Sequence, residues 1–532
     1  MNTLRAVLIA APLLLAACTV GPDYKKPEVA LTAAYRTPVP ASTEPAASLD
    51  AWWDGFHDAG LSRVVARAET QNLDIEQARD RVLQSRALVR AAGAALAPQV
   101  DATGSAAAVQ QSLQSPIGTI GTHLPGFQRS YDETVLGAAA SWEVDLFGGL
   151  RRGREAAKAD ARVAAAEAVA IRTSVAAEAA DAYLQVRGLQ ARIAVAQRQE
   201  TVERDLVGLL TQRASQGVSP DRELREARAE LEGVRATIPP LTAALDAHLN
   251  RLDVLMGAQA GTYRDELADP APTPAPPILA AGDGPADLLR RRPDILAAED
   301  RVAAANARIG AAISGYYPKV SISGLLGVDS LSASQLFAAS AVAHQVGAGL
   351  SWRLFDFGRV DAEVAQAKGR DAEALAAYRA TVYRATAEVE DSVSSLTQEE
   401  ARAEALSAQI DQLTVARGQA EQAYEGGVIS LIEVRDADRE LLTASDQLAQ
   451  TRADAARAAV AVYRALGGGW TPERTLLSER LGALAGCELR RIRHPGRSVA
   501  ESRGRTRRFI DDIQLGSGPS GPGSTRCALR PG

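Results

Sequence analysis

The chain is short of the residues that mark several familiar classes. Three Cys in 532 residues cannot build a disulfide scaffold. Two Met and 4% aromatic residues leave few large core-formers for an ordinary globular domain of this length. No run of about 18 uncharged apolar residues occurs, which excludes a polytopic helical membrane protein. The five His (His57, His123, His248, His344, His494) are scattered without metal-ligand spacing, so no metal or other cofactor is expected. No Gly-x-Ser-x-Gly or phosphate-loop motif appears, and enzyme readings fare badly. Gly467-Gly468-Gly469 reads as a flexible terminator rather than a phosphate cradle. A net charge of −6 makes a nucleic-acid partner a poor candidate. What is abundant is Ala, Glu, Arg, Leu and Gln in long stretches, the composition of extended helices.

Charge is unevenly spread. From residue 480 to the end there are eleven Arg against four acidic residues, so the remainder carries about −13. This basic tail, 471–532, includes the linker-like Gly516-Ser517-Gly518-Pro519 and the stray Cys487 and Cys527. It reads as disordered and of doubtful origin, either a frameshift or read-through product or a genuine extension.

The other end is an address. Arg5 precedes the apolar run Ala6–Ala17, which ends in Leu15-Ala16-Ala17-Cys18. A short apolar region with small residues before the cut is a secretory signal, and the Cys makes it a lipobox. Residues 1–17 are thus expected to be removed and Cys18 to be acylated, opening an N-terminal lipidated segment, 18–60. Several acyl chains anchor firmly, at about 0.8 kcal/mol per buried methylene. Thr19 rather than Asp at the next position favours the outer membrane by analogy with bacterial lipoprotein sorting.

Between these ends the chain is duplicated. Trp142, Phe147 and Gly148 reappear 210 residues later as Trp352, Phe357 and Gly358, and Gly217-Val218 reappears as Gly427-Val428. Upstream the offset is 220: Asp74-Ile75 matches Asp294-Ile295, and Pro98 matches Pro318. Each unit, 61–257 and 285–470, reads as helix, two strands, long helix, tip and helix, with a Pro-rich linker at 258–284. The first helices, about 61–97 and 293–316, stop before Pro98 and Pro318.

In the strand segments, Leu136, Ala138, Ala140, Trp142 and Val144 share one face, as do Val346, Ala348, Leu350, Trp352 and Leu354. About ten alternating residues suit a tilted transmembrane strand, or else a half-buried soluble hairpin. The proline-free stretches Gly148–Gln216 and Gly358–Glu425 predict helices about 100 Å long at 1.5 Å per residue. Gly217 and Gly426-Gly427 end them. Ser219-Pro220-Asp221 then predicts an N-cap with Pro at the first helical position, and Ser430 with Glu433 a capping box.

Four strands cannot close a barrel, and an open edge in lipid costs several kcal/mol per unpaired group. Several copies must therefore share one barrel; three would give twelve strands. Polar helices of this length must project into water as a continuing tube. The strand count alone leaves the copy number open.

The segment Cys18-Thr19-Val20-Gly21-Pro22-Asp23-Tyr24-Lys25-Lys26-Pro27, the block Trp52-Trp53 with Phe56, Asp58, Leu61 and Asn72-Leu73-Asp74, the run Leu288-Leu289-Arg290-Arg291-Arg292-Pro293-Asp294-Ile295, and the end Gly467-Gly468-Gly469-Trp470 together resemble outer-membrane efflux lipoproteins of the OprM/NodT type. The resemblance implies a mainly α, TolC-like fold with a β-barrel portion: a homotrimer with a twelve-stranded transmembrane barrel continued by a periplasmic α-helical barrel. It implies passive export of small molecules (drugs, solvents or metals) as part of a tripartite system with a periplasmic adaptor and an inner-membrane efflux pump. It places the hairpin tips at the periplasmic entrance, where adaptors dock. The tip candidates are Gly217, Val218, Ser219, Asp221, Tyr424, Gly426, Gly427, Val428, Ser430 and Asp436. Several relatives carry an acidic residue after the tip Val of the second hairpin, where this chain has Ile429. Arg290, Arg291, Arg292, Pro293 and Asp294 form the family signature. Two alternatives use parts of the same pattern. A TolC-like exit duct for protein secretion is disfavoured by the lipobox and the Arg-Arg-Arg-Pro-Asp-Ile run. A periplasmic coiled-coil scaffold lipoprotein would have no pore.

Overall fold

A computed structural model describes residues 19–36, 48–217, 220–278 and 285–471. Cys18, Val218, Ser219, the signal segment and the tail with Cys487 and Cys527 lie outside the described residues.

Helix α1 (Ala59–Gln71) starts where Asp58 accepts from the Gly60 and Leu61 amides at 2.7 and 2.9 Å. The sequence predicts one helix over about 61–97, but the chain breaks at Asn72 (φ −65°, ψ 130°). Asn72 caps a second helix, α2 (Leu73–Ala94), accepting from Asp74 and Ile75. An Asn side chain competes with helical backbone bonding, which is why it sits at this joint.

Pro98 ends the helical run, and strands β1 (Gln99–Gln110) and β2 (Ser130–Val144) follow. Next come the long helix α3 (Gly149–Ser215) and its return α4 (Asp221–Leu255). The second series is α5 (Pro293–Ile313), β3 (Lys319–Ser330), β4 (Val342–Ser351), α6 (Arg359–Glu425) and α7 (Leu431–Ala465). Both long helices have 67 residues and both returns have 35. Gly148 and Gly358 precede the long helices in the left-handed conformation, at φ 80° and 82°.

The four strands form one antiparallel sheet in the order β1-β2-β3-β4. The register puts Leu136 opposite Val328, Ala138 opposite Leu326, Trp142 opposite Ile322, and Val320 opposite Leu350. One face is therefore apolar from strand to strand. The other carries Asp101, Thr103, Ser141, Ser321, Ser323 and Ser351. Side chains on the apolar face stand exposed: Leu326, Val346 and Leu350 have no covering element among the described residues. β4 ends at Ser351, three residues before the Leu354 that the alternation predicts.

The core lies below the sheet, where α1, α3, α6 and α7 meet the N-terminal segment. Trp52 stacks on Tyr463 with ring centroids 5.6 Å apart. Ala176, Ala179, Ala180, Ala456 and Ala459 are fully buried, and Gly188 faces Ala453 so closely that a Cβ would fall 2.5 Å from it. The abundance of alanine thus sets how near these helices approach. No described helix is long and apolar enough to cross a membrane.

Candidate functional site

Two places carry the residues singled out from the sequence. The first is the pair of hairpin tips. α3 ends at Ser215, and Gly217 (φ 72°) donates its amide to Ala214. α6 ends in a fully formed Schellman turn: Val428 donates to Ala423 and Gly427 (φ 72°) to Tyr424, each at 2.9 Å. Val428 stands exposed at the apex. At the second return helix, the Glu433 carboxylate accepts from the Ser430 amide at 3.2 Å and from its hydroxyl at 3.3 Å. The first return starts one residue later than its sequence predicts. Pro220 is the N-cap and Asp221 the first helical residue, because Pro220 has extended ψ (140°).

The tips are tied to each other. Arg213 of α3 donates to the Tyr424 hydroxyl of α6, with its guanidinium 6.0 Å from the ring centroid. Asp221 pairs with Arg225 at 2.7 Å and Asp436 with Arg439 at 3.5 Å, both within one helix. The interhelical charges lie just above the tips and were not singled out from the sequence. Arg417 bridges to Asp438 at 2.9 Å, and Glu230 sits 3.8 Å from both Arg435 and Arg439. Buried Glu203 belongs to this group, bonded to Gln199 at 2.9 Å. Burial raises its pKa, Arg435 opposes that, and Glu230 and Asp438 reinforce it. Nothing in its sequence context separates Glu203 from a solvent-facing helix carboxylate. Only the packing of α3 against its neighbours does.

The second place is the arginine block. Pro293 is the first residue of α5 and Asp294 lies in its first turn, as the sequence predicts. The three Arg have three fates. Arg290 is exposed. Arg291 donates to Asp50 at 2.6 Å, while its carbonyl accepts from the Trp470 indole at 3.0 Å. Arg292 is buried and bonds Asp294 (2.8 Å), Glu388 (2.7 Å) and the Ala465 carbonyl (3.1 Å). Burial alone would lower its pKa, but the bonds to Asp294 and Glu388 outweigh this and raise it. The block joins the N-terminal segment, α5, α6 and the end of α7. A groove beside it is lined by Glu167, Arg301 and Arg384 with Arg292, Asp294 and Glu388. Among the described residues, no group of three or more His, Cys, Asp or Glu side chains could hold a metal ion.

A four-stranded sheet with an uncovered apolar face, standing on paired helices of 67 residues, defines an outer-membrane channel subunit of TolC-like fold. A family model described as outer membrane efflux protein matches residues 64–258 and 284–468, and the chain belongs to that family. Outer membrane protein OprJ of Pseudomonas aeruginosa is 30% identical over 482 residues, covering 90% of this chain and 98% of that one. The pyoverdine export outer membrane protein OpmQ of Pseudomonas putida is 29% identical, covering 87% and 97%. The solved structure of the outer-membrane channel OprN is 33% identical with a TM-score of 0.76, covering 85% of this chain and 100% of that chain. The resemblance drawn from the sequence motifs therefore holds. The protein is an efflux channel of the outer membrane with a periplasmic extension.

Proposed function

We propose that this chain forms a homotrimeric conduit that passively releases small molecules from the periplasm, fed by an inner-membrane pump through a periplasmic adaptor. The observation that carries this reading is the sheet. It has one apolar face, one polar face and two edges, β1 and β4, without a partner strand among the described residues. In lipid such edges must be paired, and neighbouring copies supply the pairs. Relatives whose names state a cargo support small-molecule export, as pyoverdine export does for OpmQ. The conduit performs no chemistry of its own and needs no cofactor.

Acylated Cys18 anchors each copy. Val20, two residues further on, donates its amide to the Phe147 carbonyl at 3.0 Å, just past the end of β2, which supports an anchor near the lipid-facing strands. The tips receive the adaptor. Gly217, Asp221, Tyr424, Gly426, Gly427, Val428, Ser430 and Asp436 lie at or near the two apices, with Val218 and Ser219 in the same turn of the sequence. Arg290 to Asp294 serve architecture rather than cargo.

Reconstitution in a planar bilayer tests the conduit. Conductance steps are expected, and larger ones after Tyr424→Phe frees Arg213. A bilayer that stays silent for both proteins would sink the channel reading in favour of a scaffold. Cys18→Ser should yield protein free of fatty acid, and acyl chains on that variant would overturn the anchor.

A further inference from the structure

The chain that follows Cys18 is gripped by a single side chain. Arg152 lies in the first turn of α3 and is buried. Its Nε donates to the Val20 carbonyl at 3.1 Å. One terminal nitrogen donates to the Gly21 carbonyl at 3.2 Å and to the Asp23 carboxylate at 2.8 Å. The other bonds Glu155, three residues on, at 2.8 Å, which holds the guanidinium in place. Opposite Arg152 stands Gly310 of α5. A Cβ there would fall 2.9 Å from both the Val20 carbonyl oxygen and the Arg152 side chain. Gly21 turns at φ 94°, and a Cβ on it would fall 2.4 Å from the Gly310 Cα. Backbone meets backbone here, and glycine on each side permits it.

From this point the segment 19–36 runs down α5. Tyr24 packs against Ala159, Ala303 and Ala304. Lys26 pairs with Glu299 at 2.7 Å, and the Arg36 amide donates to Glu390 of α6 at 2.6 Å. The duplicated frame does not repeat this seat. The residues equivalent to Arg152, Gly310, Ala303 and Glu299 are Ala362, Arg90, Leu83 and Arg79. There the donor is missing, a long side chain fills the contact, and a cation stands where Lys26 needs an anion. The seat is therefore a specialised feature and not a by-product of the repeat.

Resting on the proposed acylation of Cys18, we infer that Arg152 is a clamp that positions the lipid anchor: it grips the main chain at Val20 and Gly21 and so holds Cys18 at the foot of the sheet. Two residues span about 7 Å at most. With Val20 bonded to Phe147, the acyl-bearing Cys is kept within that reach of the end of β2. Without the grip, the anchor would sit on a tether whose next ionic hold is Lys26. The grip is on carbonyls more than on charge. The Asp23 side chain is 88% exposed, so its ion pair contributes little. The carbonyl bonds come from a buried cation, which makes them the stronger kind. A guanidinium suits the task because its planar fork meets two acceptors at once, which an ammonium on a flexible stem does not.

Hydrogen exchange of the full-length oligomer in detergent, read by mass spectrometry, provides the test. Arg152→Ala should speed exchange of the Val20 amide by on the order of tenfold, the effect of losing a charge-assisted hydrogen bond beside it. The buried stretch of α3 at 175–190 should keep its rate. Gly310→Ala reads the same clamp from the other side, should Arg152→Ala disturb α3. Alanine favours a helix over glycine, so α5 should exchange no faster, yet its Cβ should drive the Val20 carbonyl away and release the segment. Asp23→Asn should change the rate by less than about twofold. Val20 exchange that is unchanged in both Arg152→Ala and Gly310→Ala would overturn the clamp. An Asp23→Asn effect equal to that of Arg152→Ala would overturn the carbonyl grip in favour of the ion pair. The mass of the Cys18 peptide in the same samples separates the two levels. Val20 protection that depends on Arg152 in protein without acyl chains refutes the anchor alone, whereas acylated protein whose Val20 ignores both substitutions refutes the clamp alone.

Discussion

The two halves of the chain build the same contact with different chemistry. In the first unit Asn72 donates to the Leu255 carbonyl at 2.9 Å. In the second, the residue 220 further on, Arg292, donates to the carbonyl 210 further on, Ala465, at 3.1 Å. Beside these bonds Gly257 faces the Gln71 carbonyl, and Gly467 faces that of Arg291. The joint between return helix and first helix has thus kept its geometry while its donor changed from a neutral amide to a cation. The difference lies in what surrounds each donor. Asn72 spends its oxygen capping α2, whereas Pro293 already starts α5, which frees position 292 to reach Glu388 on the neighbouring long helix. A joint that needs only a donor tolerates either. A joint that must also hold α6 needs the longer, charged one.

That comparison can be broken most directly at the donors. Arg292→Ala should cost about 2–3 kcal/mol, because it removes a buried cation's charge-assisted bonds to the half-exposed Asp294 and Glu388 and leaves the Ala465 carbonyl without that donor. Asn72→Ala should cost about 1–2 kcal/mol, the value of a cap. Denaturant melts followed by circular dichroism read both, and equal losses would mean the two joints are energetically alike. Next come the glycines. A Cβ at Gly257 would lie 2.2 Å from the Gln71 carbonyl oxygen, against 2.9 Å from Arg291 at Gly467, with φ 71° and 73°. Valine at either should cost about 3 kcal/mol through the left-handed backbone, more at 257. A milder effect at 257 would show that α1 yields there.

Smaller effects are expected at the indoles. Trp142 donates to the Leu96 carbonyl and Trp352 to that of Tyr316, both at 3.0 Å and both at the repeat offsets. Phe at 142 should cost about 1 kcal/mol. Phe at 352 should cost less, since Trp352 is half exposed in the single chain. The smallest is a pH effect that the second unit lacks: the position equivalent to Glu203 is Leu413. Because burial raises the Glu203 pKa, the folded state holds its proton more tightly than the unfolded one. Its stabilising contribution is full below the ordinary carboxylate range and is lost as pH rises through the raised value. Glu203→Gln should therefore stabilise the tip region at neutral pH and do nothing at acidic pH. Hydrogen exchange of α3 near the tip checks this, and a pH-independent effect would refute it.

Much of the fold was legible because duplication repeats its own punctuation. Pro98 and Pro318, Gly148 and Gly358, Gly217 and Gly427 bound elements by local backbone rules that need no neighbours. The joint at Asn72 was not legible as a break, since Asn inside a periodic run is tolerated in many helices and breaks this one where its side chain reaches Leu255. Tip residues were recognisable as turns, but the charges that link the tips were not. Glu230 and Arg435, or Arg213 and Tyr424, meet only when two hairpins are laid side by side.

By itself the sequence determined the duplicated order of elements, the alternation of the strands and the great length of the helices. Each is a property of nearest neighbours or of a period, and folding does not change it. The tertiary structure decided which faces join across the sheet, which arginine of Arg290 to Arg292 is buried, and which carboxylate on α3 is starved of water. Those depend on residues hundreds of positions apart coming within hydrogen-bond distance, and no local period encodes that.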